Sequence, residues 1–489
     1  MKRKLIVVLL ILSLFIVFNT TAFALPYEQT SAIQSLIDEA QRISGAPGIS
    51  VAVSANGETY YFSSGLANRE MEVPASEDTL WELASVSKAF TALGLLYLEE
   101  QGLLSLTDSI AHHVPWLTFQ YKGQSVDMQN VRLYHFLYHT VGITNLQHIN
   151  LILNREGPDT IKNTVEALID AELAFSPGER MEYGTKNYNV LGLVIESVSG
   201  QSYENFMEER IFQPLGLTQT FANRDHATAT GNFAQGYINT FIFATLRRDS
   251  PEARGSVPTG YIITSAKDMA RWMEIQLGMK EDIPAIFKEI TPRSHIGNQS
   301  VEADYFMGRY FYYAAGWMIC VDGNSIEHGG DNPSFVTYVR LLPEEQIGIT
   351  ILSNSTAGNA ISIADNITEM LRGHSGTRYS LSMIQLLDIV FTIITVLGSI
   401  FTIVFFLLGL RKKRQGNKKR TISKKRMILI ALWSVITLII GISPHIAIGG
   451  VLIVFLLMWM PYSLLTGLII LTLLCGSITW FVVFPRRMK

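Results

Sequence analysis

Ser85 and Lys88 are the residues whose types and spacing best suit chemistry in this sequence. They stand three positions apart at the head of residues 89–98, a run that is apolar nearly all round and predicts a buried helix. On a helix, residues i and i+3 share a face one turn apart, so the Lys88 amine is expected beside the Ser85 hydroxyl. A serine hydroxyl is a poor nucleophile until a neighbour takes its proton. A lysine in apolar surroundings is pushed toward its neutral form, and a neutral amine can take that proton. The first turn of a helix also offers free N–H groups to a developing oxyanion. One four-residue window thus supplies a nucleophile, a candidate base and part of an oxyanion hole. Ser-x-x-Lys is common by chance, so its meaning depends on the elements around it.

Residues 31–43 have helical spacing and end at Ser44-Gly45. Residues 48–53 and 58–63 are short β-rich runs joined by Asn56-Gly57, a strong hairpin signal. A polar loop over residues 65–78 leads to the Ser85 helix, and residues 108–259 are mainly helical with loops. A helix is predicted over 265–277, strands over 314–321, 325–327, 334–342 and 348–353, and a last helix within 354–375. Strands at both ends with helices between them predict an α/β (α+β) architecture. In it, one antiparallel sheet is closed by the N- and C-terminal segments and carries an inserted helical lobe.

The ends of the chain differ in composition. Residues 1–24 have a basic start, an apolar run and Ala22-Phe23-Ala24, the pattern of a secretory signal peptide, with an uncleaved anchor as the alternative. Either way the following domain, residues 25–375, is expected outside the cell. Residues 389–410 are free of charge and long enough to cross about 30 Å of hydrocarbon. Residues 411–426 hold ten Lys/Arg and no acid, and 427–485 hold none of the four charged residue types. The expectation is three transmembrane helices, at about 387–410, 427–447 and 462–484, in a membrane domain of residues 376–489. The basic loop 411–426 is then cytoplasmic, as the positive-inside rule requires. Residues 25–375 keep 22 basic and 41 acidic side chains, net −19, which argues against nucleic-acid or anionic-polymer partners. Cys320 is alone in the external domain, so no disulfide is expected there. No zinc spacing and no phosphate-binding glycine loop is found, so no metal and no cofactor is expected.

The order of several motifs then carries a resemblance. Gly48-Ile49-Ser50-Val51, Asp78-Thr79-Leu80, Ser85-Val86-Ser87-Lys88 and residues 100–106 come first. His139-Thr140-Val141-Gly142, Ser176-Pro177-Gly178 and residues 183–192 follow. Pro214-Leu215-Gly216-Leu217, Gly316-Trp317 and His328-Gly329-Gly330 complete the series. Over about 300 residues the external domain resembles the β-lactamase-related serine hydrolases, akin to class C β-lactamases, penicillin-binding proteins, DD-carboxypeptidases and esterases. The resemblance implies a β-lactamase/transpeptidase-like sheet flanked by helices. It also implies that Ser85 is acylated with help from Lys88. Tyr183 takes the place of the tyrosine of the family's Tyr-x-Asn motif, thought to act as a tyrosinate base. An ammonium near a phenol favours the phenolate, so Lys88 would sharpen that role. The third position departs from the pattern: Thr185 replaces the asparagine whose amide meets the substrate's acyl-side amide. Asn187 is a candidate substitute. His328-Gly329-Gly330 matches the family's His-x-Gly, whose glycines let substrate approach the strand. By the same resemblance the Asp331 N–H completes the oxyanion hole with that of Ser85, and His328 binds a substrate carboxylate or tunes the Tyr183 proton. His139, Trp317 and Asp268 are assigned to structure.

The function expected is a membrane-anchored extracellular serine hydrolase acting through a Ser85 acyl-enzyme. Its substrates would be esters, D-amino-acid peptides of peptidoglycan type, or β-lactam-like molecules, and its membrane partner the lipid bilayer. Competing readings are a penicillin-binding receptor acylated without turnover and a non-catalytic envelope scaffold.

Overall fold

The structure is a computed structural model that describes residues 25–145, 160–242, 244–250, 253–306, 309–321, 324–376, 378–415 and 459–483, with a few positions between 428 and 435. The signal segment 1–24 and most of the expected middle span 427–447 lie outside the described residues.

Helix α1 (Tyr27–Ser44) opens the described chain and stops at Gly45, whose left-handed backbone lets its N–H reach the Gln41 carbonyl at 3.0 Å. The predicted hairpin follows: β1 (Gly48–Ala55) and β2 (Glu58–Asn68) are antiparallel, and Asn56 and Gly57 turn at φ of 56° and 78°. The short strands β3 (Val73–Pro74) and β4 (Leu80–Glu82) lead into the Ser85 turn and helix α2 (Ser87–Glu100). The helical lobe comes next and includes α3 (Lys186–Ser199). A hairpin of β5 (Tyr237–Thr240) and β6 (Ala244–Arg247), the short helix α4 (Val257–Gly260) and β7 (Ile263–Ser265) return the chain toward the sheet. Helices α5 (Ala266–Gln276) and α6 (Ala285–Ser294) follow. Strands β8 (Asp304–Phe306), β9 (Arg309–Tyr313), β10 (Met318–Cys320), β11 (Ile326–Asn332), β12 (Phe335–Leu342) and β13 (Ile347–Ser353) complete the domain with α7 (Ala360–Leu371).

Nine strands form one antiparallel sheet in the order β8-β9-β10-β11-β12-β13-β1-β2-β3. The closure predicted from sequence is the pairing of β1 with β13, for example Val51 opposite Ile351. One face is covered by α1 and α7, with Ile33, Ile37, Ile363 and Ile367 packed on Val51, Ile349 and Ile351. The other face and the lobe share a second core built around Phe90, Leu93, Leu191, Trp272 and Trp317. Each fully buried side chain of this size contributes about 1.5–3 kcal/mol, so the two cores fix the sheet from both sides. Cys320 and Cys475 are both unpaired.

Beyond the domain stand two long apolar helices, α8 (Met383–Gln415) and α9 (Tyr462–Val483). Both are long and apolar enough to cross a membrane, and their apolar side chains are mostly unburied, which suggests membrane association. They pack closely because small residues face bulky ones: Gly398 meets Ile470, Gly409 meets Trp480 and Gly467 meets Phe391. Helix α8 runs four residues further at its start than expected and carries Arg411–Arg414 as helix, not loop.

Candidate active site

Ser85 lies on a single 3₁₀ turn (Ala84–Val86), one residue ahead of α2, not on the α-helix that the spacing predicted. The reason is local. Ala84 takes a left-handed φ of 46°, unusual for a residue with a Cβ, and the turn presents Ser85 at the head of the helix. Strand β11 presses on it from the side. A Cβ on Gly330 would stand 2.6 Å from the Leu83 carbonyl oxygen and 2.8 Å from the Ser85 nitrogen. Gly330 is therefore required by the closeness of β11 to the Ser85 turn itself, whereas a Cβ on Gly329 meets only ordinary contacts with Tyr338. The same closeness brings the backbone leading to Asp331 alongside the Ser85 N–H. The Asp331 side chain is exposed.

Lys88, in the first turn of α2, is fully buried. Its Nζ donates to Ser85 Oγ at 3.1 Å and to the Thr259 carbonyl of α4 at 2.7 Å. No carboxylate pairs with it among the described residues, and burial alone lowers its pKa from 10.5 to about 7. The aromatic ring of Tyr183 lies 5.1 Å from Nζ and that of Tyr188 lies 5.8 Å away.

Tyr183 follows the lobe's Ser176-Pro177-Gly178 turn and enters α3. Its hydroxyl is buried without a hydrogen-bond partner. The Ser85 hydroxyl lies close enough to favour the phenolate. Burial dominates, with the Asp331 carboxylate adding to it, and raises the Tyr183 pKa above its ordinary value. In the site without substrate, burial therefore favours the phenol over the tyrosinate. Desolvation penalises both charged forms, so the resting pair is a phenol and an amine that is half neutral near pH 7.

His328 sits on the face of β11 that looks toward α2. Its Nδ1–H donates to the Gly329 carbonyl at 2.7 Å, which leaves Nε2 to accept from the Tyr313 hydroxyl at 3.2 Å. Burial, with Lys88 nearby, lowers its pKa to about 3. A buried imidazole held neutral in this way would meet a substrate carboxylate through an N–H, not as a cation. It is placed among the tyrosines. On the opposite face of the same strand, Glu327 accepts from Arg340 at 2.7 Å and from Arg309 at 2.6 Å, and Tyr338 donates to it. The period of two along a strand keeps this ionic cluster away from Lys88.

His139 is closer to the site than its structural assignment implied. Its ring stands 4.4 Å from those of Tyr183 and Tyr313, and its Nδ1 accepts from Asn187 Nδ2 at 2.9 Å and from the Gly184 N–H at 3.3 Å. It braces Tyr183 without touching Ser85. Asn187 is fully buried and its Nδ2 donates to His139, while its Oδ1 has no partner among the described residues. Thr185 is half-buried at the start of α3, and its N–H donates to Asn145 Oδ1 at 2.8 Å. Tyr313, from β9, was not legible in the sequence: a tyrosine in a strand has no signal of its own until the sheet places it beside His328. Asp268 accepts from the Gln219 N–H and the Thr220 hydroxyl, and Trp317 is fully buried, as their structural assignments require.

The family model for Beta-lactamase matches residues 33–373. The chain belongs to the Beta-lactamase family. It is similar to "Protein flp" of Staphylococcus aureus (strain MRSA252), 26% identical over 452 residues, covering 88% of this chain and 86% of the relative. Among solved structures, it resembles the octameric penicillin-binding protein homologue from Pyrococcus abyssi, with a TM-score of 0.61, 24% identity, and 71% and 78% of the two chains covered. It also resembles the beta-lactamase/D-alanine carboxypeptidase from Pseudomonas syringae, with a TM-score of 0.58, 20% identity, and 72% and 100% covered. The fold is that of the β-lactamase/DD-carboxypeptidase-type serine hydrolases.

Proposed function

We propose that the protein is a membrane-anchored serine hydrolase whose external domain forms an acyl-enzyme at Ser85. The observation that carries this is the buried Lys88 amine, 3.1 Å from the Ser85 hydroxyl and lowered to about pKa 7. In the resting site, neutral Lys88 accepts the Ser85 proton as Oγ attacks an acyl carbon. The N–H groups of Ser85 and Asp331 hold the oxyanion. Tyr183, a phenol, gives its proton to the departing group and recovers one from the Lys88 ammonium. Water then attacks the acyl ester by the reverse proton path. His328, Tyr313 and His139 keep the tyrosine wall in place around the amine.

Simple esters suit this site better than β-lactams or D-amino-acid peptides, because Thr185 offers no amide to pair with an acyl-side amide and the Asn187 donor is held by His139. The similarity to the S. aureus protein covers more of the chain than residues 25–375 can hold, so it reaches into the membrane part. That supports an anchor as part of the protein's design, with the hydrolase outside and the basic segment after α8 in the cytoplasm. A fluorophosphonate probe applied to the full chain should label it, and peptide mapping should place the adduct on Ser85. Equal labelling of Ser85→Ala sinks the proposal.

A further inference from the structure

A simple anchor needs one apolar helix, yet α8 and α9 pack together and hold the catalytic domain by polar contacts at their outer end. Asp388 is nearly buried, just before the charge-free run of α8. An ionisable residue there is unfavourable unless it has a task. Its two carboxylate oxygens accept the N–H groups of Phe241 at 2.9 Å and Ile242 at 2.7 Å, and Ser463 of α9 also donates to it. Phe241 and Ile242 form the tip of the β5–β6 hairpin. Both are left-handed, at φ of 54° and 67°, a conformation that side chains with a Cβ adopt rarely. Two successive left-handed residues turn their N–H groups to one side, a nest that suits a carboxylate. Thr240, beside them, accepts the Ser463 N–H at 3.1 Å.

The base of the same hairpin reaches the active-site strand. Arg248 follows β6. One arm of its guanidinium donates to the Tyr462 hydroxyl at 3.0 Å, at the start of α9, and the other points to the Pro333 carbonyl at 3.5 Å. Its own carbonyl accepts from Ser334 at 3.3 Å. Pro333 and Ser334 are the turn between β11 and β12, two residues past Asp331. On the other side of this turn, Asn332 donates to Glu82 and to the Gly260 carbonyl, next to the Ser85 turn and to α4. Polar contacts, linked through the backbone of the hairpin and of the β11–β12 turn, therefore join the outer ends of both apolar helices to the strand beside Ser85.

We propose that the α8–α9 pair is a working part of the hydrolase, holding the β11–β12 turn through the β5–β6 hairpin, with Asp388 and Arg248 as positioning residues. This rests on the hydrolase function proposed above. The geometry needed for acyl transfer is tight, and a shift of about 1 Å can cost a hundredfold in rate. The contacts here are two to three side chains removed from Ser85, and a loss of about five- to tenfold is expected.

The test uses the full chain in lipid nanodiscs with two substitutions, Asp388→Ala and the milder Tyr462→Phe, which keeps the ring and removes the acceptor. Ester hydrolysis should lose about five- to tenfold in kcat with KM within twofold. Hydrogen exchange should speed up at residues 237–247 and also at residues 329–336. Exchange at 329–336 that matches the parent in both variants overturns the coupling, and so does faster exchange there with unchanged kcat. The exchange measurement stands apart from activity. If the parent fails to hydrolyse esters or to be labelled at Ser85, the hydrolase reading fails, while the exchange arm still decides whether the helices hold the strand.

Discussion

Replacing Lys88 by methionine removes the amine while keeping a flexible side chain of similar volume. The folded site lowers the Lys88 pKa from 10.5 to about 7, so between those pH values the unfolded chain holds a proton that the folded chain does not. Stability then rises with pH across that window, and the cost of burying Lys88 is fully present below about pH 7 and gone above 10.5. At 1.36 kcal/mol per pKa unit the gap corresponds to about 4–5 kcal/mol. Against this, the variant loses two hydrogen bonds, to Ser85 and Thr259, worth about 1 kcal/mol each. Lys88→Met should therefore gain about 2 kcal/mol near pH 6–7, and this gain should vanish and turn into a loss of similar size by pH 10. Denaturant unfolding of the external domain's tryptophan fluorescence, measured for the full chain in micelles at several pH values, reads this directly. Ester hydrolysis should fall by about a thousandfold in the same variant. A variant equally destabilised at pH 6 and pH 10 refutes the argument. Lys88 would then not be held against its charge, and its role as the resting base would go with it.

Three further outcomes follow from the same geometry. The kcat/KM for a neutral ester should rise about tenfold per pH unit below about pH 7 and level off above it, because the active form carries neutral Lys88; a limb that levels only near pH 10 would return the base role to Tyr183. Tyr183→Phe removes a buried hydroxyl that has no partner, so unfolding should change by less than about 1 kcal/mol while kcat falls about a hundredfold or more; equal losses in both would make Tyr183 structural. Thr185→Asn should raise activity on amide-bearing substrates about ten- to a hundredfold and leave esters within a fewfold; a parent that cleaves nitrocefin faster than esters would show that residue 185 does not discriminate between them.

Much of this molecule was legible because local signals and tertiary pattern agreed. Asn56-Gly57 demanded a hairpin, and the strand-rich ends demanded closure, which is the β1–β13 pairing. Ser85 and Lys88 were legible as a pair, yet the backbone that joins them was not. Periodicity places residues on faces, but it does not announce the left-handed Ala84 or the glycine of β11 that must pack against it from about 245 positions further along the chain. The proton states were equally hidden. The family resemblance put Tyr183 beside Lys88 and implied that the ammonium would favour the phenolate, whereas burial raises the tyrosine and lowers the lysine. Asp388 did carry a signal in the sequence, as the one acid in residues 376–489, but its partners are backbone amides of a distant hairpin that no pattern announces.

The site also explains a contrast in charge. Residues 25–375 carry 41 acidic side chains, nearly twice their basic ones. A carboxylate near the Lys88 amine would hold it charged and unable to accept a proton. None pairs with it among the described residues. Of the two acids on β11, Glu327 is turned to the other face of the sheet and locked by Arg340 and Arg309, and Asp331 points to solvent. The groups that contact the amine among the described residues are hydroxyls, a carbonyl and rings: Ser85, Thr259, Tyr183 and Tyr188, with His139 and His328 near it held neutral by burial. In the proposed mechanism, neutral walls around one buried amine would leave it free to activate Ser85 near neutral pH. Any substitution that brings a carboxylate to this face of β11 should therefore raise the Lys88 pKa and push the rise in activity to higher pH.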